Sequence, residues 1–359
     1  MLSAACAKIV TDSDGEREFS DNPMLFQTYS ATSRAGVITG TTLPENTSFG
    51  VFAYLQKGVV GSSTAHWSDG GWKPDFMFNQ EVSFDGTDYS YSPLQFWPYN
   101  EENTISFWAY YPYEAYTAGN TGELKFYETT DAGSPDFSKN STTGLPVIKY
   151  SVPTDPAQQT DILFDSFANK DQTYEGCTPT PGTVRLQFRH ALSLVEFRIV
   201  SSGESLPEGA TVNIVNMTLT NVADSGVCSD PSASIADTTA AKSFWSPVSG
   251  NKTIEISSSF NSSFLMMPQT LSEEGSTGHS VMKLTLSYDI VFPAADNPET
   301  TLSYDGNNFE AYIWRSTGTA YGVKRWLPGR KYVYNIEAGL EKIEFSEVTE
   351  MSWTSEWPE

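Results

Sequence analysis

Apolar and polar residues alternate along much of this chain, and this two-residue rhythm restricts the fold more than any other feature of the sequence. Successive side chains of a β-strand point to opposite faces, so a period of two predicts a strand with one buried face. Long stretches with apolar residues at i, i+3, i+4 and i+7 are not apparent. The sequence therefore predicts an all-β fold built from β-sandwiches. The alternation is clearest over residues 105–111, 184–188, 195–199, 281–290 and 332–336.

The chain length favours two domains, because 359 residues exceed the size of about 250–300 residues at which single cores stop growing. Residues 170–183 contain few apolar side chains and two prolines, which cannot donate to a sheet ladder. We therefore expect an N-terminal β-sandwich domain over residues 24–175 and a C-terminal β-sandwich domain over residues 183–359. Residues 1–23 are expected to form a leader or tether.

The charge of the chain argues against nucleic-acid binding. It has 44 acidic against 21 basic residues, a formal net charge of −23, and no stripe of Lys or Arg offsets this excess. Such a charge repels phosphate backbones and anionic membrane surfaces. No stretch approaches the roughly 18–20 apolar residues of a membrane-spanning helix.

Histidine and cysteine are too few and too scattered for a local metal cluster. The three histidines are never neighbours, and the three cysteines form no CxxC pair. We therefore expect no local metal cluster, although a site assembled in the fold from scattered residues stays open. No motif of the sequence points to a cofactor, and we expect none. A disulfide between Cys177 and Cys228 is possible, but spacing alone does not decide it.

The first residues differ from the rest of the chain. Small residues at positions 3–5 directly precede Cys6, as at the end of a bacterial lipoprotein signal. The charged and apolar parts of such a signal are missing, so we expect a chain that is trimmed or started late. A lipid on Cys6 would anchor the protein to a membrane without spanning it. The alternative is a frayed N-terminus with an incidental cysteine.

Eight short motifs, which follow one another between about Phe26 and Trp353, carry a family resemblance. In this order the series resembles the Bacteroidetes-type fimbrillin family, the type V pilins and their surface-lipoprotein relatives. The motifs are FGVFAY (49–54), FNQEV (78–82), LQFWP (94–98), ISFWAYYPY (105–113), DILF (161–164), LQFRHALSLVEF (186–197), MMPQTL (266–271) and WLPGRKYVY (326–334).

The resemblance implies two transthyretin-like β-sandwich domains in tandem and export as an outer-membrane-anchored lipoprotein at the cell surface. It also implies assembly with other pilin subunits into a fimbria that contributes to adhesion. An Arg-specific protease would remove the leader together with the first strand. The groove left behind would then accept a strand from another subunit, which is a form of β-augmentation.

Residues 24–29 match the expected first strand, and Leu25, Phe26 and Tyr29 are the residues of this displaced strand that we single out. A small, polar segment follows and contains Arg34 and Ala35, so we expect proteolytic maturation between these two residues. Arg17 is the alternative, but a cut there would leave the first strand in place.

The other end of the chain offers a candidate donor strand. Met351, Trp353 and Trp357 share one parity and alternate with polar residues. The alternative is a final strand that packs on its own domain. Because Glu359 lies only two residues past Trp357, we expect no long donor appendage, and the roles of tip or accessory subunit stay open.

Catalysis finds little support in the sequence. No G-x-S-x-G, phosphate-binding loop or G-x-G-x-x-G occurs, and His190 is expected to be a buried, hydrogen-bonded histidine at a strand end. We therefore predict that the chain is not an enzyme. The competing function is a surface lipoprotein that never polymerises and binds glycans or host proteins. Aromatic side chains such as Trp67, Trp72, Trp97 and Trp108 could stack on sugars, although core packing is favoured for them.

Overall fold

The computed structural model shows an all-β protein, as the sequence predicts. Its described part holds 26 strands, one 3-10 turn at Pro156–Gln158 and no α-helix. No helix there is long and apolar enough to cross a membrane. The described residues are 19–29, 33–34, 37–38, 43–58, 71–100, 103–115, 124–127, 137–138, 143–153, 155–165, 173–175, 183–200, 209–228, 246–247, 252–257, 263–271, 281–294, 297–314, 322–338 and 343–353.

The strands are numbered in chain order. Those before the predicted domain boundary are β1 (Phe19–Pro23), β2 (Leu25–Tyr29), β3 (Ser33–Arg34), β4 (Val37–Ile38), β5 (Thr47–Gln56), β6 (Met77–Phe84), β7 (Tyr89–Ser90), β8 (Phe96–Pro98), β9 (Thr104–Tyr111), β10 (Leu124–Tyr127), β11 (Val147–Ser151), β12 (Leu163–Asp165) and β13 (Thr173–Glu175). Those after it are β14 (Thr183–His190), β15 (Ser193–Val200), β16 (Thr211–Val222), β17 (Ser225–Cys228), β18 (Ser246–Pro247), β19 (Lys252–Ser257), β20 (Ser263–Met266), β21 (Gln269–Thr270), β22 (Lys283–Ala294), β23 (Asn297–Tyr312), β24 (Arg325–Trp326), β25 (Arg330–Ala338) and β26 (Ile343–Ser352).

The largest sheet has eight strands and curls towards closure. Seven of them follow the order β2-β14-β12-β9-β5-β6-β7, and β13 also pairs with β9. The two ends of this order approach each other, since the Thr28 and Tyr89 hydroxyls lie 2.6 Å apart. This curled sheet surrounds a first core that includes Met24, Phe26, Phe49, Trp97, Phe107, Val184, Leu186 and Phe188.

The other face of the curled sheet packs against a four-stranded sheet with the order β10-β11-β17-β18. All eight residues of β9 are buried because its two faces belong to two different cores. The two sheets thus form a sandwich around a second core. This core includes Phe52, Tyr54, Trp108, Tyr110, Phe126, Ile148, Tyr150, Phe164, Leu194, Leu265 and Trp353.

The C-terminal strands form another two-sheet sandwich. One sheet has the order β20-β15-β25-β26 and the other the order β19-β16-β22-β23. The alternation over residues 282–290 is confirmed, since its even-numbered members are all buried between the sheets and its odd-numbered members are partly exposed. Their third core includes Val195, Phe197, Leu219, Leu284, Leu286, Tyr288, Trp326, Tyr332, Tyr334 and Ile336.

The division into domains at residues 24–175 and 183–359 stays a prediction. Two observations describe the chain around that boundary. Strand β14 follows it in sequence and pairs with β12 and β2, and β17 pairs with β11. Strands from both sides of the boundary therefore share sheets, and the second core also draws on both sides.

Gly50 lies where a ring passes directly over the backbone of β5. A Cβ at this position would overlap the Tyr110 ring and crowd the Asn79 side chain. We predict that Gly50→Ala lowers the free energy of unfolding by about 1–3 kcal/mol, measured by chemical denaturation, because a packed core resists added volume. Glu81→Ala is the matched control, since Glu81 is exposed and lies opposite Gly50 in the ladder. Equal losses in the two variants would contradict the close packing over Gly50.

Candidate functional site

Strand β2 places one row of side chains in the first core and the other row in solvent. The inward row is formed by Met24, just before the strand, and by Phe26 and Thr28, which are 0%, 5% and 6% exposed. The outward Leu25 is 48% exposed. Thus, of the predicted first-strand residues, Phe26 is buried and Leu25 is not. Tyr29 ends the strand, and its side chain lies outside the described residues.

The backbone of β2 is held by a parallel ladder. Its five residues pair in continuous register with residues 183–187 of β14, from Leu25 opposite Thr183 to Tyr29 opposite Gln187. On its other edge β14 pairs antiparallel with β12. The first strand therefore supplies one of the two hydrogen-bonding neighbours of β14, although 153 residues separate the end of β2 from the start of β14 in the chain (183 − 29 − 1).

Aromatic rings surround Phe26. The rings of Phe49, Tyr91 and Phe107 meet it edge to face, with centroid distances of 6.2, 5.3 and 6.1 Å. Such pairs contribute about 0.5–1.5 kcal/mol each beyond the burial of their area. We call the space occupied by Met24, Phe26 and Thr28 the β2 groove.

A second segment, Tyr89–Gln95, contacts β2 away from the β14 ladder, and we call it the clasp. The Tyr91 hydroxyl donates to the Met24 carbonyl and the Met24 amide donates to the Gln95 carbonyl, both at 2.9 Å. The Tyr89 hydroxyl bonds that of Thr28. Burial raises the pKa of Tyr91 to about 12 and also raises that of Tyr89, so both phenols keep their protons at neutral pH.

The predicted maturation residues fall between β2 and β5. Arg34 ends β3, where it pairs with Val37 of β4, and Ala35 lies outside the described residues. A cut between Arg34 and Ala35 would separate β1 and β2 from the rest of the chain. Strand β1 would then be held only by noncovalent contacts, which include its pairing with β8. Cys6, the predicted lipidation residue, also lies outside the described part.

The predicted donor residues occupy two different environments at the end of β26. Met351 is 42% exposed, whereas Trp353 is buried in the second core. The Trp353 indole stacks on the His190 ring with centroids 3.6 Å apart, and its amide donates to the Gly329 carbonyl at 2.8 Å. Trp357 lies outside the described residues.

His190 is buried at the end of β14 and hydrogen-bonded, as predicted. Its Nδ1 lies 2.8 Å from Oδ2 of Asp161, which is itself fully buried. One ring face of this histidine is covered by Trp353. Within the described ranges, no group of three or more His, Cys, Asp or Glu residues is arranged to hold a metal ion.

The tryptophans considered for sugar stacking are mostly internal. Trp97 and Trp108 are fully buried, and Trp72 packs against the second core. A buried indole cannot present its face to a sugar ring. Trp67 and Cys177 lie outside the described residues, and Cys228 is buried in the second core.

With the fold and the groove in place, comparison with known proteins assigns the family. The model of the family described as fimbrillin-like matches residues 33–353. The chain belongs to the fimbrillin-like family. The resemblance that the eight sequence motifs indicate is thereby confirmed.

Relatives of this fimbrillin-like chain include fimbrial proteins from Bacteroidetes. It is 30% identical over 168 residues to the fimbrium subunit Fim1C of Phocaeicola vulgatus, a match that covers 45% of this chain and 39% of that protein. Its structure is similar to that of a fimbrial protein from Bacteroides vulgatus, with a TM-score of 0.62, 19% identity and coverage of 92% and 99% of the two chains. The structure of a candidate cell adhesion protein from Bacteroides uniformis is also similar, with a TM-score of 0.53, 15% identity and coverage of 93% of this chain and 99% of that chain. At these identities the two structures show a shared fold.

Sequence reasoning missed the clasp. Tyr89 and Tyr91 have the same parity and stand next to the LQFWP motif, which is the only sequence signal that could have indicated them. Their partners Met24 and Thr28 are more than 60 residues away, so the pairing depends on the curl of the sheet.

We predict that Phe26→Ala lowers the free energy of unfolding by about 3–5 kcal/mol, because it removes a buried ring and leaves a cavity among three others. Leu25→Ala is the matched control, and its effect should stay within about 0.5 kcal/mol because Leu25 lies at the surface. Chemical denaturation of both variants measures the difference. Similar losses in the two variants would show that β2 does not point Phe26 inward.

Proposed function

We propose that this fimbrillin-like protein is a structural subunit of a cell-surface fimbria and assembles with other pilin subunits by donor-strand exchange. The observation that carries the proposal is the placement of β2. A short strand at the end of a sheet fills an aromatic groove and pairs with β14, and it precedes Arg34, the proposed cleavage residue.

Removal of β2 would create a binding site for another strand. It would expose the edge amides and carbonyls of β14 together with the groove that Phe26 fills. An incoming strand satisfies both, since it hydrogen-bonds to the open edge and buries alternate side chains. Because the donor and acceptor surfaces differ, repeated exchange generates an open filament rather than a closed ring.

Maturation would follow from cleavage between Arg34 and Ala35. This cut removes the covalent connection that keeps β2 next to β14, so the first strand becomes exchangeable. Before the cut, β2 is present at a high effective concentration because it belongs to the same chain. Cleavage would therefore control when a subunit becomes an acceptor.

The proposed donor is the C-terminal segment that contains Met351, Trp353 and Trp357. Release of this segment from its own chain would break the last two residue pairs of the β25–β26 ladder, at Met351 and Ser352, and the stack of Trp353 on His190. The competing proposal keeps Trp353 in the second core and leaves the donor role to another segment.

We also propose how the protein is exported and where in the fimbria it stands. Two transthyretin-like sandwiches, lipidation at Cys6 and anchoring at the outer membrane before maturation agree with membership of the fimbrillin-like family. Stalk, tip and accessory subunit are all compatible with an acceptor groove. A tip subunit would accept a strand and donate none.

Mass spectrometry of the protein from native filaments tests maturation. We expect a mature N-terminus at Ala35, because only a cut after β2 frees the groove. A lipidated Cys6 on the assembled form would contradict this account and would favour an anchored, adhesive lipoprotein that does not polymerise.

Met351→Asp tests the donor strand without disturbing the monomer. Met351 is 42% exposed, so a carboxylate there stays hydrated and the free energy of unfolding should change by less than about 0.5 kcal/mol. In an acceptor groove the same carboxylate would be buried without a partner, at a cost of several kcal/mol. We predict that filament ladders disappear on gels of cell-surface material.

Ser352→Asp is the matched control, since Ser352 is exposed and has the opposite parity in the strand. It should leave the ladders intact. Equal loss, or equal retention, of the ladders in the two variants would contradict donation of the Met351 row.

A further inference from the structure

The residues that β2 inserts into its groove form a short pattern that occurs twice in this chain. Met24, Phe26 and Thr28 are a methionine, an aromatic residue two positions later and a hydroxyl residue four positions later. Of the eight methionines in the sequence, only Met24 and Met351 begin such a series. The second series is Met351, Trp353 and Ser355.

Each inward position of β2 has different surroundings. Met24 is completely buried, and its backbone bonds both Tyr91 and Gln95 of the clasp. Phe26 lies within the cluster of Phe49, Tyr91 and Phe107. The groove therefore presents an apolar end and an aromatic centre.

Thr28 defines the third position, because its hydroxyl lies 2.6 Å from the hydroxyl of Tyr89. Tyr89 is fixed in turn by its ring, which stacks on Phe84 with centroids 4.6 Å apart and meets Phe49 edge to face. A buried hydroxyl that loses its partner is costly, so this position selects a serine or threonine.

We propose that the β2 groove recognises the pattern methionine-x-aromatic-x-hydroxyl, and that its occupant in the filament is the segment 351–355 of a second copy of this chain. In this register Met351 takes the place of Met24, Trp353 that of Phe26 and Ser355 that of Thr28. The inference rests on the proposed strand exchange and adds the register and the residues that determine specificity, Tyr89 and Tyr91.

The outward positions agree with this register. Leu25 and Gln27 face solvent on β2, and the corresponding residues of the C-terminal segment are Ser352 and Thr354, which are polar. The main change of size is at the centre of the groove, where the indole of Trp353 would replace the smaller phenyl ring of Phe26. Tyr91 is the half-buried wall of that position and lies in the clasp outside the strands of the curled sheet, so we expect its ring to shift and admit the indole.

A graft into the full-length, uncleaved chain tests the pattern. The in-register graft combines Leu25→Ser, Phe26→Trp, Gln27→Thr and Thr28→Ser, which writes residues 351–355 into the place of 24–28. The shifted graft combines Met24→Ser, Leu25→Met, Phe26→Thr, Gln27→Trp and Thr28→Ser. The two grafts have the same composition, and only the second turns its methionine and tryptophan outward.

We expect the in-register graft to lower the folding equilibrium constant by at most about a hundredfold, because its three inward side chains keep their chemical types and only the added volume of the indole is resisted. The shifted graft should lose about a thousandfold or more, because it buries no large side chain in the groove. Denaturant titration measures both. Equal losses in the two grafts, or failure of the in-register graft to fold, would overturn the proposal.

A double-mutant cycle tests the hydroxyl position separately. Tyr89→Phe should weaken folding about three- to tenfold when residue 28 carries a hydroxyl and by a clearly smaller factor in combination with Thr28→Val. Tyr110→Phe is the control, since its hydroxyl bonds Asn79 and Glu114 away from β2 and should show no coupling to Thr28→Val. Absence of coupling between Tyr89 and Thr28 would remove the hydroxyl from the pattern.

Neither experiment requires cleavage or polymerisation. If the in-register graft folds but Met351→Asp leaves filaments unchanged, the groove has the inferred specificity and the proposed donor is wrong. If the graft fails while Met351→Asp abolishes filaments, the donor stands and the register is wrong.

Discussion

Strand β14 has hydrogen-bonding partners along both edges, and one of these partners is β2, from a distant part of the chain. This parallel pair forms one end of the curled sheet, and the other strands continue from β14. It brings Phe26 into the first core and places the far end of the sheet against Thr28, where Tyr89 closes it. Without β2, the edge of β14 and the rings around Phe26 would be open together. In the proposed strand exchange, this coincidence lets one strand complete the fold before cleavage and lets another strand take its place afterwards.

The retention of β2 depends on the clasp as well as on β14. Residues 183–187 supply a backbone ladder, which can pair with any extended chain. Tyr89 and Tyr91 instead contact particular residues, Thr28 and Met24. Backbone pairing therefore supplies affinity and the clasp supplies selectivity, as in other cases of strand addition. Trp353 already stacks on His190 of its own chain, so a donated segment must bind the groove of a neighbour more tightly than it packs on its own chain.

Much of the fold follows from the sequence, because alternation is a local property. The strand with Leu284 and Leu286 at its centre is predicted correctly, since one of its faces is buried and the other meets solvent. Strand β9 is predicted as a strand, but its burial on both faces is not, because Phe107 and Trp108 belong to different cores. The first strand could be recognised from its apolar residues. Its parallel partner and the Tyr89–Thr28 closure could not, since both depend on the curl of a sheet that links distant parts of the chain.

In the proposed filament, a donated C-terminal strand takes the place of β2 beside β14. Arg185 is exposed on β14 opposite Gln27, and the proposed register puts Thr354 of the donor where Gln27 lies. Filaments carrying both Arg185→Cys and Thr354→Cys should therefore form disulfides between subunits on mild oxidation, seen as a covalent ladder that reductant removes. Filaments with either change alone should give no ladder. Intact filaments of the double variant without a ladder would contradict the account.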